Sequence, residues 1–197
     1  AIFFLLIILM MMPYQVTLVS NYIILDKLGL REQAKNMKTW ADYENIMAAF
    51  KESGLPGYAT GGGAGFGMIS NNGCIYQGEN ISDSYIFDPL GDVYFSLATD
   101  QNGKAMNQVA MEETQNQFKM FRKWMDAGYM YPDSAYDSTG AKELFNQGVL
   151  FSVFAASEYG VETSWRASSG YDVECYLVGE SPLNTSNAQK FGLVLPT

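Results

Sequence analysis

The sequence contains no histidine. That removes the commonest general base, the Ser-His and Cys-His nucleophile pairs, and every histidine-bearing zinc site. Cysteine occurs twice, at Cys74 and Cys175. The two lie far apart, form no CxxC, and read as either one disulfide or two buried thiols. Basic residues are scarce: 12 Lys and Arg against 21 Asp and Glu leave a net charge of −9. No stretch gathers the Lys/Arg cluster that grips phosphates, so nucleic acid is not an expected partner. An enzyme would have to run on carboxylates, on Ser/Lys or on a borrowed cofactor. No cofactor or metal is expected, and the sequence shows no internal repeat or low-complexity tract.

What is present is the composition of a folding chain, with 48% hydrophobic and 14% aromatic residues. The length of 197 residues suits one domain with a sizeable core, or one domain with an appendage. The first stretch, AIFFLLIILMMMPYQ, has no polar side chain from Ile2 to Met12. A signal peptide wants a basic region before such a run and a small-x-small site after it, and neither is here. With Gln15, Thr17, Ser20 and Asn21 tolerated, residues 1–25 supply the length of a bilayer span. The expectation is a truncated membrane helix, a buried soluble helix being the alternative.

At Arg31 the composition turns charged and helical. Thr39 is a good N-cap, and Trp40, Tyr43, Ile46, Met47 and Phe50 mark one face of a helix stopped by Gly54 and Pro56. Residues 57–87 are turn-rich, with short strands expected at 67–70 and 74–77, and DQNG at 100–103 reads as a turn. Glu112 to Ala127 is the clearest helix, with Phe118, Phe121, Trp124 and Met125 facing a core and Gly128 past its end. Ser138 or Thr139 is expected to cap a short helix through AKELFNQ. VLFSVFA at 149–155 reads as a strand buried on both faces, and 171–179 as another. Helices alternating with buried strands argue α/β with a mixed or parallel sheet.

GGGAGFG at 61–67 misses the dinucleotide spacing, with Phe66 or Met68 in the third glycine place, and no Gly-Lys-Ser/Thr follows. It reads as a flexible turn or a backbone edge approached by a ligand. Carboxylate pairs such as Asp83/Asp88 and Glu158/Glu162 would suit acid–base glycoside chemistry only at the right separation, which spacing alone does not give. DSAYDSTG lacks the terminal Glu of a hand-type calcium loop. The aromatics say more. Tyr58, Tyr76, Tyr159 and Trp165 sit in turn-rich sequence off any periodic face, where rings stack on sugars while nearby Asp, Glu, Asn and Gln take hydroxyls.

From about Lys38 the chain resembles the extracellular solute-binding proteins of carbohydrate ABC importers. KTWADYENIMAAFKESG matches the family's helix that opens on Thr-Trp. QFKMFRKWMDAGYMYPDSAYDSTGAKELFNQGVLFSVF matches its Gly-Tyr and Pro-Asp turn, capped short helix and Phe-x-x-Gly leading into a buried strand. The resemblance implies a partial periplasmic-binding-protein-like (type II) α/β fold over 31–197, truncated at both ends, that binds an oligosaccharide for import without covalent chemistry. Glu158, Tyr159 and Trp165 are the implied contacts, with Tyr58 and Tyr76 secondary. Residues 1–30 resemble a span of the permease subunit of the same importers, in MMMPYQVTLVSNYIILDKLGL, departing at Ser20 where proline is usual. The expected whole is a membrane-type helix ahead of a binding region on the extracellular or periplasmic side of the cell membrane. Sugar and ABC permease subunits are its expected partners. A membrane-tethered carbohydrate-active enzyme and a non-binding fragment of a fused reading frame are the alternatives.

Overall fold

The computed structural model describes residues 15–61, 74–76, 84–86, 88–89, 97–99, 104–107, 110, 112–157 and 160–177. In the stretch QVTLVSN, β-branched Val16, Thr17 and Val19 favour extended backbone, and Gln15–Asn21 is a strand, β1. Leu18 and Val19 are both 0% exposed. Successive strand side chains point to opposite faces, so β1 is covered on both sides. This corrects the expected membrane helix at residues 15–21. A strand buried on both faces and a membrane span share an all-round apolar signature, and here the extended form is observed over Gln15–Asn21. Residues 1–14 lie outside the described residues. Among the described residues no helix is long and apolar enough to cross a membrane.

Asn21 ends β1 and caps α1 (Tyr22–Leu28), its Oδ1 accepting from the Ile23 N–H at 3.2 Å. Gly29 closes α1, and α2 (Arg31–Lys35) follows at once. Leu18, Leu25 and Ala34 share a core with α3 (Trp40–Glu52), so the chain on the two sides of Arg31 packs as one body. On α3 the expected cap is a full capping box. Asp42 N–H donates to Thr39 Oγ1 at 3.1 Å, and Thr39 N–H donates to Asp42 Oδ2 at 2.9 Å. Trp40, Tyr43, Ile46, Met47 and Phe50 are buried, as their spacing predicts.

Two small antiparallel sheets follow. β2 (Cys74–Tyr76) pairs with β3 (Ser84–Ile86), and β4 (Asp88–Pro89) pairs with β5 (Leu97–Thr99), which pairs with β6 (Ala105–Asn107). The strand expected at 67–70 and the turn at 100–103 lie outside the described residues. α4 (Glu112–Asp126) packs Phe121 and Trp124 into the core and ends with the Gly128 N–H on the Met125 carbonyl. After a turn of 3-10 helix at Pro132–Ala135 comes α5 (Ala141–Asn146), whose N-cap is Gly140 rather than Ser138 or Thr139. Asp137 explains the shift: its Oδ1 takes the Thr139 N–H at 2.8 Å and shapes the turn before the helix.

β7 (Ser152–Ser157) and β8 (Val173–Leu177) flank β1, both antiparallel to it, in the order β7-β1-β8. Between them lies α6 (Val161–Ser169), a helix where the sequence reads as turn-rich. The sheet continues past β7. Residues 58–60 run parallel to 149–151 on one side and to 129–131 on the other, through Tyr58 N–H to Val149 O at 2.8 Å and Tyr131 N–H to Thr60 O at 2.9 Å. Helices α1–α4 cover one face with Leu18, Phe151 and Tyr176. Helices α5 and α6 cover the other with Val19, Val153 and Val173. The result is the three-layer α/β arrangement that alternating elements imply.

Candidate functional site

Residues 58–60, 129–131 and 149–151 run in one direction, so their carboxyl ends point to the same side of the sheet. In open α/β sheets, ligands bind outside the carboxyl ends of such strands. Gly61 and Pro132–Asp137 follow the first two, while 149–151 runs on as β7 to Ser157. Glu158 and Tyr159 come directly after β7 and lie outside the described residues, as do residues 62–67.

The side chains at this edge form a small, ordered group. The rings of Tyr58 and Tyr131 meet edge-on, 5.6 Å between centroids. The Tyr131 hydroxyl donates to Asp137 Oδ2 at 3.2 Å. The Thr139 hydrogen bonds, aided by that hydroxyl, hold the Asp137 carboxyl below the usual carboxylate range against the cost of desolvation. Desolvation and the neighbouring Asp137 raise Tyr131 above the usual phenol value. At neutral pH the pair is thus a carboxylate beside a protonated phenol. Tyr136, one residue before, is 91% exposed.

Gly61 fixes this group to the sheet. Its φ is +138°, and a Cβ there would meet Ser134 Oγ at 2.7 Å and Tyr131 Cβ at 2.8 Å. Only glycine lets the strand end approach the Tyr131–Ser134 turn so closely. Ser134 holds the turn, donating its hydroxyl to the Tyr131 carbonyl at 2.6 Å. An exposed ring and an oriented carboxylate suit a ligand with apolar faces and hydroxyl groups. Among the described residues no group of three or more His, Cys, Asp or Glu is placed to hold a metal ion.

Of the residues singled out in the sequence, Tyr58 joins this edge. Tyr76 is the last residue of β2. Trp165 lies on α6, is 6% exposed, and packs edge-on against Phe145 with centroids 5.1 Å apart. Glu162, one half of a carboxylate pair, accepts the Cys175 N–H instead. Tyr131, Tyr136 and Asp137 were not singled out. Tyr131 and Tyr136 carry the same signal as Tyr58, aromatics off any helical period, here in a Pro-Asp turn.

No protein-family model matches the chain, and no curated protein matches it. Among solved structures, sugar-transport solute-binding proteins share its fold at low sequence identity. The N-glycan transport solute binding protein NgtS of Streptococcus pneumoniae, in complex with Man1GlcNAc, superposes with a TM-score of 0.63 at 15% identity. That match covers 90% of this chain and 37% of NgtS. The complex of the same protein with Man5GlcNAc gives 0.63 at 16% identity, over 90% and 36% of the two chains. The chain therefore spans little more than a third of the length of NgtS and shares the fold of that part. A separate permease-like span does not appear among the described residues, because residues 15–30 are built into the shared core.

Proposed function

We propose that the chain is part of a carbohydrate solute-binding protein of an ABC importer, holding an oligosaccharide by aromatic stacking and hydroxyl hydrogen bonds without covalent chemistry. The observation that carries this reading is the match to NgtS over 90% of the chain, with an exposed tyrosine and an oriented carboxylate at the carboxyl edge of the same sheet. Tyr58, Tyr131, Tyr136 and Asp137 form the proposed contact surface, and Glu158 and Tyr159, which follow β7 in sequence, are proposed as further contacts. Tyr76 stays a secondary contact, and Trp165, implied by the resemblance as a primary one, moves to second rank because its ring is 6% exposed and packed on Phe145. The binding region would face the extracellular or periplasmic side and deliver its sugar to permease subunits.

All three tryptophans are buried, at 7%, 0% and 6% exposure for Trp40, Trp124 and Trp165. Calorimetry is therefore a more direct assay than intrinsic fluorescence. Titration with mannosyl-GlcNAc, chito-, malto- and laminari-oligosaccharides is expected to give saturable heat with at least one and no cleaved product. Release of product would favour the paired-carboxylate enzyme. Absence of heat and of any melting shift across the panel would leave a non-binding fragment. Tyr136→Ala is expected to weaken binding by roughly tenfold, the order of one aromatic contact, with an unchanged melting temperature because the ring is 91% exposed.

A further inference from the structure

β8 is the last strand of its sheet among the described residues, and such an edge offers unpaired N–H and C=O groups to any other strand. In the register with β1, Val173 and Cys175 lie opposite Asn21 and Val19. Their backbone groups are engaged on the outer side by α6. Glu162 Oε1 accepts the Cys175 N–H at 2.8 Å. Arg166 donates to the Val173 carbonyl through Nε at 2.9 Å and through its terminal nitrogen at 2.6 Å. Glu162 and Arg166 are one helical turn apart and 3.7 Å from each other. Each side chain thus supplies what a neighbouring strand would supply: an acceptor for one amide and a donor for the next carbonyl two residues away.

We propose that Glu162 and Arg166 form an edge clip that keeps β8 from pairing antiparallel with β8 of a second copy. The second copy is the fitting occupant because the segment VECYL is its own partner in an antiparallel ladder centred on Cys175, setting Glu174 against Tyr176. Those two side chains already attract each other within one chain, where the Tyr176 hydroxyl donates to Glu174 Oε2 at 2.7 Å. Surface salt bridges contribute little to stability, so the role of this pair lies in the backbone groups it occupies. This inference is independent of the sugar-binding reading.

The test compares the full 197-residue chain with Glu162→Ala, Glu162→Gln and the double variant Glu162→Ala/Arg166→Ala. Sedimentation velocity over a concentration series and hydrogen exchange at the Cys175 amide are the readouts. The parent and Glu162→Gln, which keeps an acceptor oxygen, are expected to sediment as monomers. In Glu162→Ala the Cys175 amide is expected to exchange roughly tenfold faster, and the double variant is expected to form dimers or larger species. A folded double variant that stays monomeric overturns the proposal. So does Glu162→Gln associating as strongly as the double variant, or a parent that already dimerises. If the double variant does not fold, an unchanged Cys175 exchange rate in Glu162→Ala is sufficient to overturn it.

Discussion

At the scale of single residues, a buried hydroxyl relay links α3 to the sheet. Ser152 Oγ donates its one proton to the Ala59 carbonyl at 2.7 Å. Tyr43 OH, 2.8 Å from Ser152 Oγ, must therefore be the donor of that contact. Burial pushes the Tyr43 phenol up to about 12 from 10, while the Ser152 and Thr60 hydroxyls act in the opposite direction. Tyr43→Phe is expected to cost about 1 kcal/mol at neutral pH, the net worth of one buried hydrogen bond, measured by urea unfolding. The sign of its pH effect follows from linkage. The raised folded-state value gives stability that is complete below pH 10 and lost as pH rises toward 12. The parent should therefore show a falling alkaline limb that is shallower in Tyr43→Phe. Gly61→Ala makes a complementary case. With φ at +138° and a Cβ 2.7 Å from Ser134 Oγ, it is expected to destabilise by about 1–3 kcal/mol and to weaken sugar binding, because the Tyr131–Asp137 turn rests on that glycine.

At the scale of elements, α3 shows what local sequence can specify. Asp42 accepts from the Lys38 and Thr39 N–H groups, and these bonds, the Lys38 one foremost, hold its carboxyl below the usual 3.8. Thr39→Ala is expected to cost about 1 kcal/mol by removing the reciprocal bond. A depressed carboxyl contributes stability that is present above pH 3.8 and lost as pH falls through the lower folded-state value. Asp42→Asn should accordingly be less stable than the parent at neutral pH, and the gap should close in strong acid, read from thermal melts at stepped pH. Caps, periodicity and stop signals near Thr39, Gly54 and Gly128 were legible because each is settled within one or two turns of chain. α6 was not. Its nine residues hold Val161 and Trp165 on one face, with serines of weak propensity elsewhere, so packing on Phe145 and the β8 edge decides the conformation. The edge holding Tyr131 and Asp137 was illegible for a related reason. It is assembled from segments far apart in sequence, and the parallel bridges Thr60 to Met130 and Tyr58 to Leu150 bring them together.

At the scale of the whole molecule, the decisive question is what residues 15–30 do. Read from composition, they belong with the apolar run before them as a tether that the remaining chain would not need for folding. In the structure β1 is the central strand of β7-β1-β8 and the hydrogen-bonding partner of both neighbours. Leu18, Val19 and Leu25 are each 0% exposed. Full burial of such side chains is worth roughly 1.5–3 kcal/mol apiece, so these three alone supply about 5–9 kcal/mol, comparable with the about 5–15 kcal/mol that holds a domain together. The cost of removing them also includes the ladders to β7 and β8 and the Arg31 clasp. There Arg31 Nε binds Glu174 at 2.8 Å, and the Arg31 and Tyr176 bonds outweigh burial to keep that carboxyl below its usual range. A chain beginning at Arg31 is therefore expected to lose its cooperative thermal transition and near-ultraviolet circular dichroism, and with them any sugar binding. A tether would give the opposite result: the chain from Arg31 would melt at the parent's temperature, and only attachment to lipid vesicles would change. Leu18→Ala, expected to cost about 2–5 kcal/mol in the otherwise intact chain, gives the same answer without a deletion, because a lipid-facing leucine would leave the melting temperature where it was.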